Sequence, residues 1–429
     1  MAKPKLALIP AAQGSKLFSV LPSSGVGDFD FSRSGKATRI NSQGLIEEVS
    51  NGQSRLNYPM IDGKVVGCPH HILEPARTNL IGYSEDFSNS DWTKFNSSVI
   101  ANSIISPDGT LNASKLIEDT ANGTHRISDT IIVSGTGVAY TQSVFAKSGG
   151  NGRYLRMFRG SGTYNNAVFD LENGTIVAQG GSRLISTKIE KYPNGWYRCI
   201  STYTTQFGNI ATYYGLQNDN TDSYQGDGTS SIYLWGAQLE AGSYPTSYIK
   251  SNSGSTTTRS AETANGSGDA ATFNDSEGVL MAEISALADD GTYRIMSLSN
   301  STAAERIYMQ YTNVSNTVAV VVKTGSVTQA NIGFVLPNET DFNKVSIKYK
   351  SNDFALWVNG FEVGTDTSGN TPIGLSELAF DDGNGNNVFQ GNTKQVQYYN
   401  SALTDSELEQ LTSWTSFTDM AQGQLYTIE

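Results

Sequence analysis

Two cysteines, three histidines and a charged fraction of only 16% are what this 429-residue chain has least of. Each shortage excludes something. Cys68 and Cys199 cannot build a disulfide framework or a four-cysteine zinc site. Cys199, in Trp196-Tyr-Arg-Cys-Ile200, reads as a small buried apolar residue, and Cys68 precedes Pro69 in a loop. His70 and His71 are adjacent and His125 is remote, so no His-x-His or His-Glu-x-x-His metal pattern occurs. On a strand the adjacent pair would point to opposite faces. No Gly-x-Ser-x-Gly elbow and no P-loop is present. No apolar run approaches membrane-spanning length, and Leu6–Pro10 is too short for the apolar region of a signal peptide. The chain is therefore expected to be made in a cytoplasm without an export signal. A net charge of −12 offers no basic surface to a phosphate backbone or to anionic lipid, so neither nucleic acid nor membrane is an expected partner.

What is abundant is Gly (43), Tyr (21) and Phe (17), with many Ser, Thr and Asn. That mixture favours sheets joined by tight turns and disfavours long amphipathic helices. The fold class read from it is all-β: tandem β-sandwiches behind a largely irregular N-terminal segment. Residues 1–75, punctuated by Pro4, Pro10, Pro22, Pro59 and Pro69, carry only short strand candidates at Phe29–Phe31, Thr38–Ile40 and Leu45–Glu48. So little continuous apolar sequence is expected to lie along a neighbour or to anchor the chain to a partner. Residues 76–262 repeat strand candidates between Gly, Asn and Asp clusters, as a jelly roll would. In Tyr140–Lys147, Tyr140, Gln142, Val144 and Ala146 share one face. A Ser/Thr/Gly stretch from Ser251 to Asp269 marks a boundary. Residues 263–429 form a second sandwich with a hairpin at Asn359-Gly360 and a helix opened by the capping box Thr404-Asp-Ser-Glu407.

Catalysis by paired carboxylates would want acids spaced by two on one strand face, as in Glu-x-Asp-x-x-Glu, and no such triplet is present; Glu283 reads as an exposed strand residue. The expectation is no catalytic residue. Sugar recognition needs aromatic platforms beside polar groups, for which the candidates are Trp92, Tyr154, Tyr164, Tyr213, Tyr214 and Tyr224. Trp196, Trp235 and Trp357 sit in apolar strands and read as core. The oxygen-rich loop Asp381-Asp-Gly-Asn384 offers Asp381, Asp382 and Asn384 to a structural Ca²⁺, although it is no EF-hand.

Three stretches carry a resemblance: Phe29–Glu47; Leu73-Glu-Pro-Ala-Arg-Thr-Asn-Leu80 running on to Lys94; and Leu234-Trp-Gly-Ala-Gln-Leu-Glu-Ala241 running on to Ile249. Together they resemble bacteriophage structural proteins of the head-spike, head-fibre or tail-associated kind that carry a carbohydrate-binding-like jelly roll, over roughly residues 28–262. Phe354–Val363 and Val396–Leu408 resemble concanavalin-like, laminin-G-type sandwiches. The resemblance implies a virion component, with contacts to other virion proteins through residues 1–75. It implies a homo-oligomer, with a trimer favoured, and adsorption to host-surface glycans. It further implies Glu85 and Glu240 as counterparts of the calcium ligands of carbohydrate-binding jelly rolls. The alternatives are a bacterial carbohydrate-binding protein outside any virion and a tail-associated glycan-degrading enzyme.

Overall fold

The structure is a computed structural model that describes residues 3–9, 12–133, 135–159, 165–205, 208–219 and 221–414. Its architecture is two β-sandwiches, and the single α-helix among the described residues is Asp405–Thr412.

The middle sandwich consists of two six-stranded antiparallel sheets. One runs Thr93–Phe95, His125–Val133, Gly208–Asn218, Arg153–Arg159, Asn165–Asp170, Thr175–Gly180. The other runs Ser97–Ile105, Leu111–Glu118, Ser231–Ala241, Ala139–Ser148, Trp196–Thr204, Leu184–Tyr192. Alternation sends Ile127, Leu155, Met157 and Tyr214 of the first sheet inward against Tyr140, Val144, Ala146 and Cys199 of the second. The strand Ala139–Ser148 is nonetheless buried on both faces. Its outward Phe145 packs with Trp196, Trp235, Tyr192 and Tyr248 beneath Ile46 of a hairpin, Ala37–Ile40 with Ile46–Val49. The second sheet is thus covered by the N-terminal segment.

The other sandwich is made from both ends of the chain. Its five-stranded sheet runs Val327–Val335, Thr317–Thr324, Arg306–Tyr311, Arg294–Ser299, Glu377–Ala379. The facing sheet runs Phe361–Asp366, Phe354–Val358, Asn343–Lys350, Glu277–Ala286, Gly391–Tyr399, and then leaves residues 263–429 altogether. Leu6–Leu8 pairs with Val396–Tyr398, and His70–Ile72 pairs with the other end of the same strand. Leu6, Leu8, Leu17, Phe29, Phe31 and Leu73 enter the core of this sandwich. A segment expected to be largely irregular therefore supplies strands to a sheet. Gly391–Tyr399 would otherwise expose its backbone groups, and three consecutive apolar residues, Leu6–Leu8, satisfy and cover them.

Two short-range expectations are met. Phe354–Val358 and Phe361–Asp366 pair across Asn359 and Gly360, whose φ angles are 49° and 91°, a turn requiring the left-handed region at both positions. Thr404 caps the helix reciprocally with Glu407, and Leu408 and Leu411 cover Val279, Met281 and Trp357. Glu283 differs from expectation: it is buried, accepting from Gln395 at 2.8 Å with Lys394 at 3.4 Å, because the neighbouring strand brings those partners over it.

Candidate functional site

The first sheet of the middle sandwich keeps an outer face on which rings and guanidinium groups alternate. Register places Phe95, Arg126, Gly215 and Arg156 in one row across four strands, and Ser128, Tyr213, Phe158 and Asn166 in the next. Arg156 lies 4.2 Å from the Phe158 ring centroid, and Phe158 stacks on Tyr213 at 4.7 Å and 12°. Arg126 then lies 5.3 Å from Tyr213 and 4.5 Å from Phe95. The order Arg156–Phe158–Tyr213–Arg126–Phe95 is a continuous ladder of cation–π and stacked contacts. Gly215, between the two arginines, has no side chain to fill the row. One end is closed, because Asp222 pairs with Arg156 and Asn166 accepts from its Nε at 2.6 Å. The other end is open: Phe95 is 46% exposed, and Arg126 and Tyr213 are half-buried. The Nε of Arg126 has no partner there.

Of the residues singled out from sequence, Tyr213 and Tyr154 reach this face, Tyr154 opposite Gln217 in the row beyond Arg156. Tyr164 lies outside the described residues. Three others are corrected. Trp92 is fully buried and donates from Nε1 to the Tyr83 carbonyl at 2.9 Å, packed on Phe87 and Tyr214. Tyr214 is buried in the same core, since neighbours on a strand face opposite ways and Tyr213 takes the outside. Tyr224 is buried and donates to Glu118 at 2.7 Å beneath the Arg153 guanidinium. Arg126, Arg156, Phe158 and Phe95 were missed. Only the register brings them beside Tyr213.

The calcium candidates are occupied by protein donors. Glu240 accepts from Gln238, from the Thr246 backbone and from the Thr246 hydroxyl at 2.6–2.9 Å. Glu85 accepts from Tyr248 and Asn252, both at 3.0 Å, and pairs with Lys250. Asp381 takes the Gly383 N–H and the Asn265 amide, and Asp382 takes the Asn384 and Asn386 N–H groups. Each of these carboxylates already accepts from two or more protein donors. Among the described residues no group of three acidic, histidine or cysteine side chains is placed to hold a metal.

A second concavity lies where the sandwiches meet. It measures about 890 Å³ and is walled by the Leu184–Tyr192 edge of the middle sandwich, by segments within residues 38–74, and by turns at 285–287 and 337–342 of the other sandwich. His70 lines it and His71 does not; the latter is enclosed against Phe31 and Phe380. Burial pushes both imidazoles down to about 3, so both are neutral at ordinary pH.

Beside this cleft is a buried ionic knot at the two crossings between sandwiches. Glu74 precedes the middle sandwich and Glu262 follows it. The Glu74 N–H donates to the Glu262 carboxylate at 2.9 Å. Glu262 receives Arg33 at 2.7 Å and Arg55, while Glu74 receives Arg55 and Arg259, both at 2.8 Å. All five side chains are essentially unexposed. Although burial alone would raise it, the guanidinium groups of Arg259 and Arg55 hold the Glu74 carboxyl down at about 2.

No family model matches the chain, and no curated protein matches it. Among solved structures it is similar to Ruminococcus gnavus IT-sialidase CBM40 bound to alpha2,3 sialyllactose, at 17% identity over 34% of this chain and 92% of that one, with a TM-score of 0.30. It is similar also to the mouse laminin alpha1 chain, domains LG4-5, at 9% identity over 79% of this chain and 96% of that one, with a TM-score of 0.23. The native heptameric SAP-like pentraxin from Limulus polyphemus matches at 14% identity over 33% of this chain and 71% of that one, with a TM-score of 0.26. Likeness at this level carries no ligand across.

Proposed function

We propose that this chain is a glycan-binding structural protein of a bacteriophage virion, a head fibre, spike or decoration protein, which adsorbs reversibly and turns nothing over. The observation that carries the binding half is the arginine–aromatic ladder on the outer face of the first sheet of the middle sandwich, open at its Phe95 end. Guanidinium forks and ring edges at Arg126, Tyr213 and Phe95 offer donors and flat apolar surface together, as recognition of sugar hydroxyls and C–H faces requires. The virion half rests on the three resembling stretches, Phe29–Glu47, Leu73–Lys94 and Leu234–Ile249. Ile9, Phe18, Val20 and Val26 add support: they are 37–54% exposed on the N-terminal segment and offer an apolar contact to other virion proteins. A homo-oligomer, favoured as a trimer, is part of this reading.

Adsorption of the purified protein to host-surface polysaccharide tests the binding half. Arg126→Ala and Tyr213→Ala should each weaken it roughly tenfold, a loss of about 1.4 kcal/mol, with the melting temperature unchanged. Retained adsorption in both variants removes the site. Release of reducing ends from that polysaccharide would replace adsorption by hydrolysis. Mass spectrometry of purified particles tests the virion half, which fails if the protein is absent from them.

A further inference from the structure

The cleft between the sandwiches contains a cation that the protein leaves incompletely satisfied. Arg198 is 6% exposed. Its Nη2 donates to the Ser143 hydroxyl at 3.1 Å and to the Thr246 carbonyl at 2.7 Å, both neutral acceptors. Its Nε has no partner. Glu190, whose charge Arg198 feels, forms its ion pair with Lys188 at 2.9 Å. Among the described residues no carboxylate forms an ion pair with Arg198. Its guanidinium lies 5.6 Å from the Phe145 ring centroid, and the unpaired Nε–H is left for an oxyanion.

A second donor faces the same space. Asn57 Oδ1 accepts the Ile40 N–H at 2.8 Å, which fixes the other end of that amide as the NH₂. That NH₂ donates to His70 Nε2 at 3.3 Å, so Nε2 is the acceptor and the neutral ring carries its proton on Nδ1. His70 Nδ1 faces the Asn392 side chain. Tyr58, Tyr192 and Phe342 add flat apolar wall. At about 890 Å³ the space is within the range of small-ligand sites, which are often found between domains.

We propose that this cleft is a second binding site, separate from the open sheet face, and that it takes a carboxylate-bearing saccharide whose carboxylate sits on Arg198. The unpaired Arg198 Nε–H is a donor, so the ligand atom that meets it must be an acceptor. A guanidinium with a free Nε–H edge matches a carboxylate better than it matches a hydroxyl. The tyrosine and phenylalanine walls suit the sugar ring.

Calorimetric titration of the full chain with trigalacturonate and a hyaluronan tetrasaccharide, against maltotriose as the neutral control, tests this. Binding of at least one acidic saccharide, tenfold or more tighter than maltotriose, is expected. Arg198→Gln should abolish that preference. Thr340→Trp, which narrows the cleft from the opposite wall without touching Arg198, should weaken binding tenfold or more, and it decides the matter if Arg198→Gln does not fold. The adsorption reading rests on the sheet face and is read on polysaccharide with the Arg126 and Tyr213 variants, whereas this one is read on oligosaccharides with the Arg198 and Thr340 variants, so either can fail while the other stands. Equal affinity for acidic and neutral saccharides, or wild-type binding by folded Arg198→Gln or by Thr340→Trp, overturns the proposal.

Discussion

His71 shows how far a single side chain can depart from what its sequence neighbourhood suggests. It is fully buried, both ring nitrogens lack partners, and Phe31 and Phe380 enclose it. Burial, with the Arg55 charge nearby, pushes it from 6.5 down to about 3. The unfolded chain therefore binds this proton more readily than the folded one. Stability from this group is complete above pH 6.5 and is lost as pH falls toward 3, at about 1.4 kcal/mol per pH unit. His70 acts in the same direction over the same interval, and Glu74, held at about 2, extends the loss below pH 4.5. Burial pushes the Glu339 and Asp129 carboxyls up to about 7 and about 6, which acts in the opposite direction over this interval, so the histidine contribution is read as the difference between the wild type and His71→Leu from pH 7 to pH 4.5. Relative to His71→Leu, the wild type should lose about 1.4 kcal/mol per pH unit as pH falls below 6.5, and parallel curves would count against the argument.

Elements show the same dependence on context. Leu6–Leu8 is three residues long, too short to be read as a strand with assurance, yet Leu6 and Leu8 are completely buried against the opposite end of the chain. Ile9, the next residue, is 54% exposed. Chemical denaturation should accordingly show Leu8→Ala losing about 2–5 kcal/mol and Ile9→Ala almost nothing. A segment that merely tethered the chain would tolerate both changes alike. The hairpin Ala37–Ile40 with Ile46–Val49 behaves similarly. Its turn, Asn41 to Gly44, is written locally, and Gly44 closes it with an N–H to Asn41 O bond of 2.9 Å. Its work of covering Phe145, Trp196 and Trp235 is a tertiary matter.

At the scale of the whole molecule, the chain enters and leaves the middle sandwich at one point, and the ionic knot sits there. Three arginines meet two glutamates, and the surplus donors reach carbonyls: Arg33 to Ser50 at 2.6 Å, Arg55 to Thr38 at 2.7 Å and Arg259 to Pro75 at 2.9 Å. Removing the Glu262 carboxylate strands Arg33 and leaves Arg55 and Arg259 to share Glu74. Glu262→Gln should cost about 3–5 kcal/mol, a large share of the roughly 5–15 kcal/mol available to a domain. Calorimetry should show the transition lowered by several degrees, and an unshifted transition would show that the knot is dispensable. The same knot brings the two walls of the Arg198 cleft together, because Glu74 lies in both.

Composition and local pattern were enough to determine the β class, the two sandwiches, the Asn359-Gly360 hairpin and the Thr404 cap. These depend on turn chemistry, side-chain period and neighbours within a few residues, all of which are written consecutively. The candidate site was legible only in part. Tyr213 and Tyr154 were found because exposed aromatics can be suspected from a polar strand. Trp92, Tyr214 and Tyr224 could not be told from them, since which face of a sheet is buried depends on what packs there. Arg126 reaches Tyr213 through a pairing 87 residues long, and Leu6 reaches Tyr398 through one that spans almost the whole chain. Such contacts arise from closure of the sheets, and the free energy that selects them, burial of apolar area together with satisfaction of backbone polar groups, exists only once distant segments meet. The tertiary structure alone decided that the first residues complete the last sandwich, and that a cleft lined by a buried arginine opens between the two.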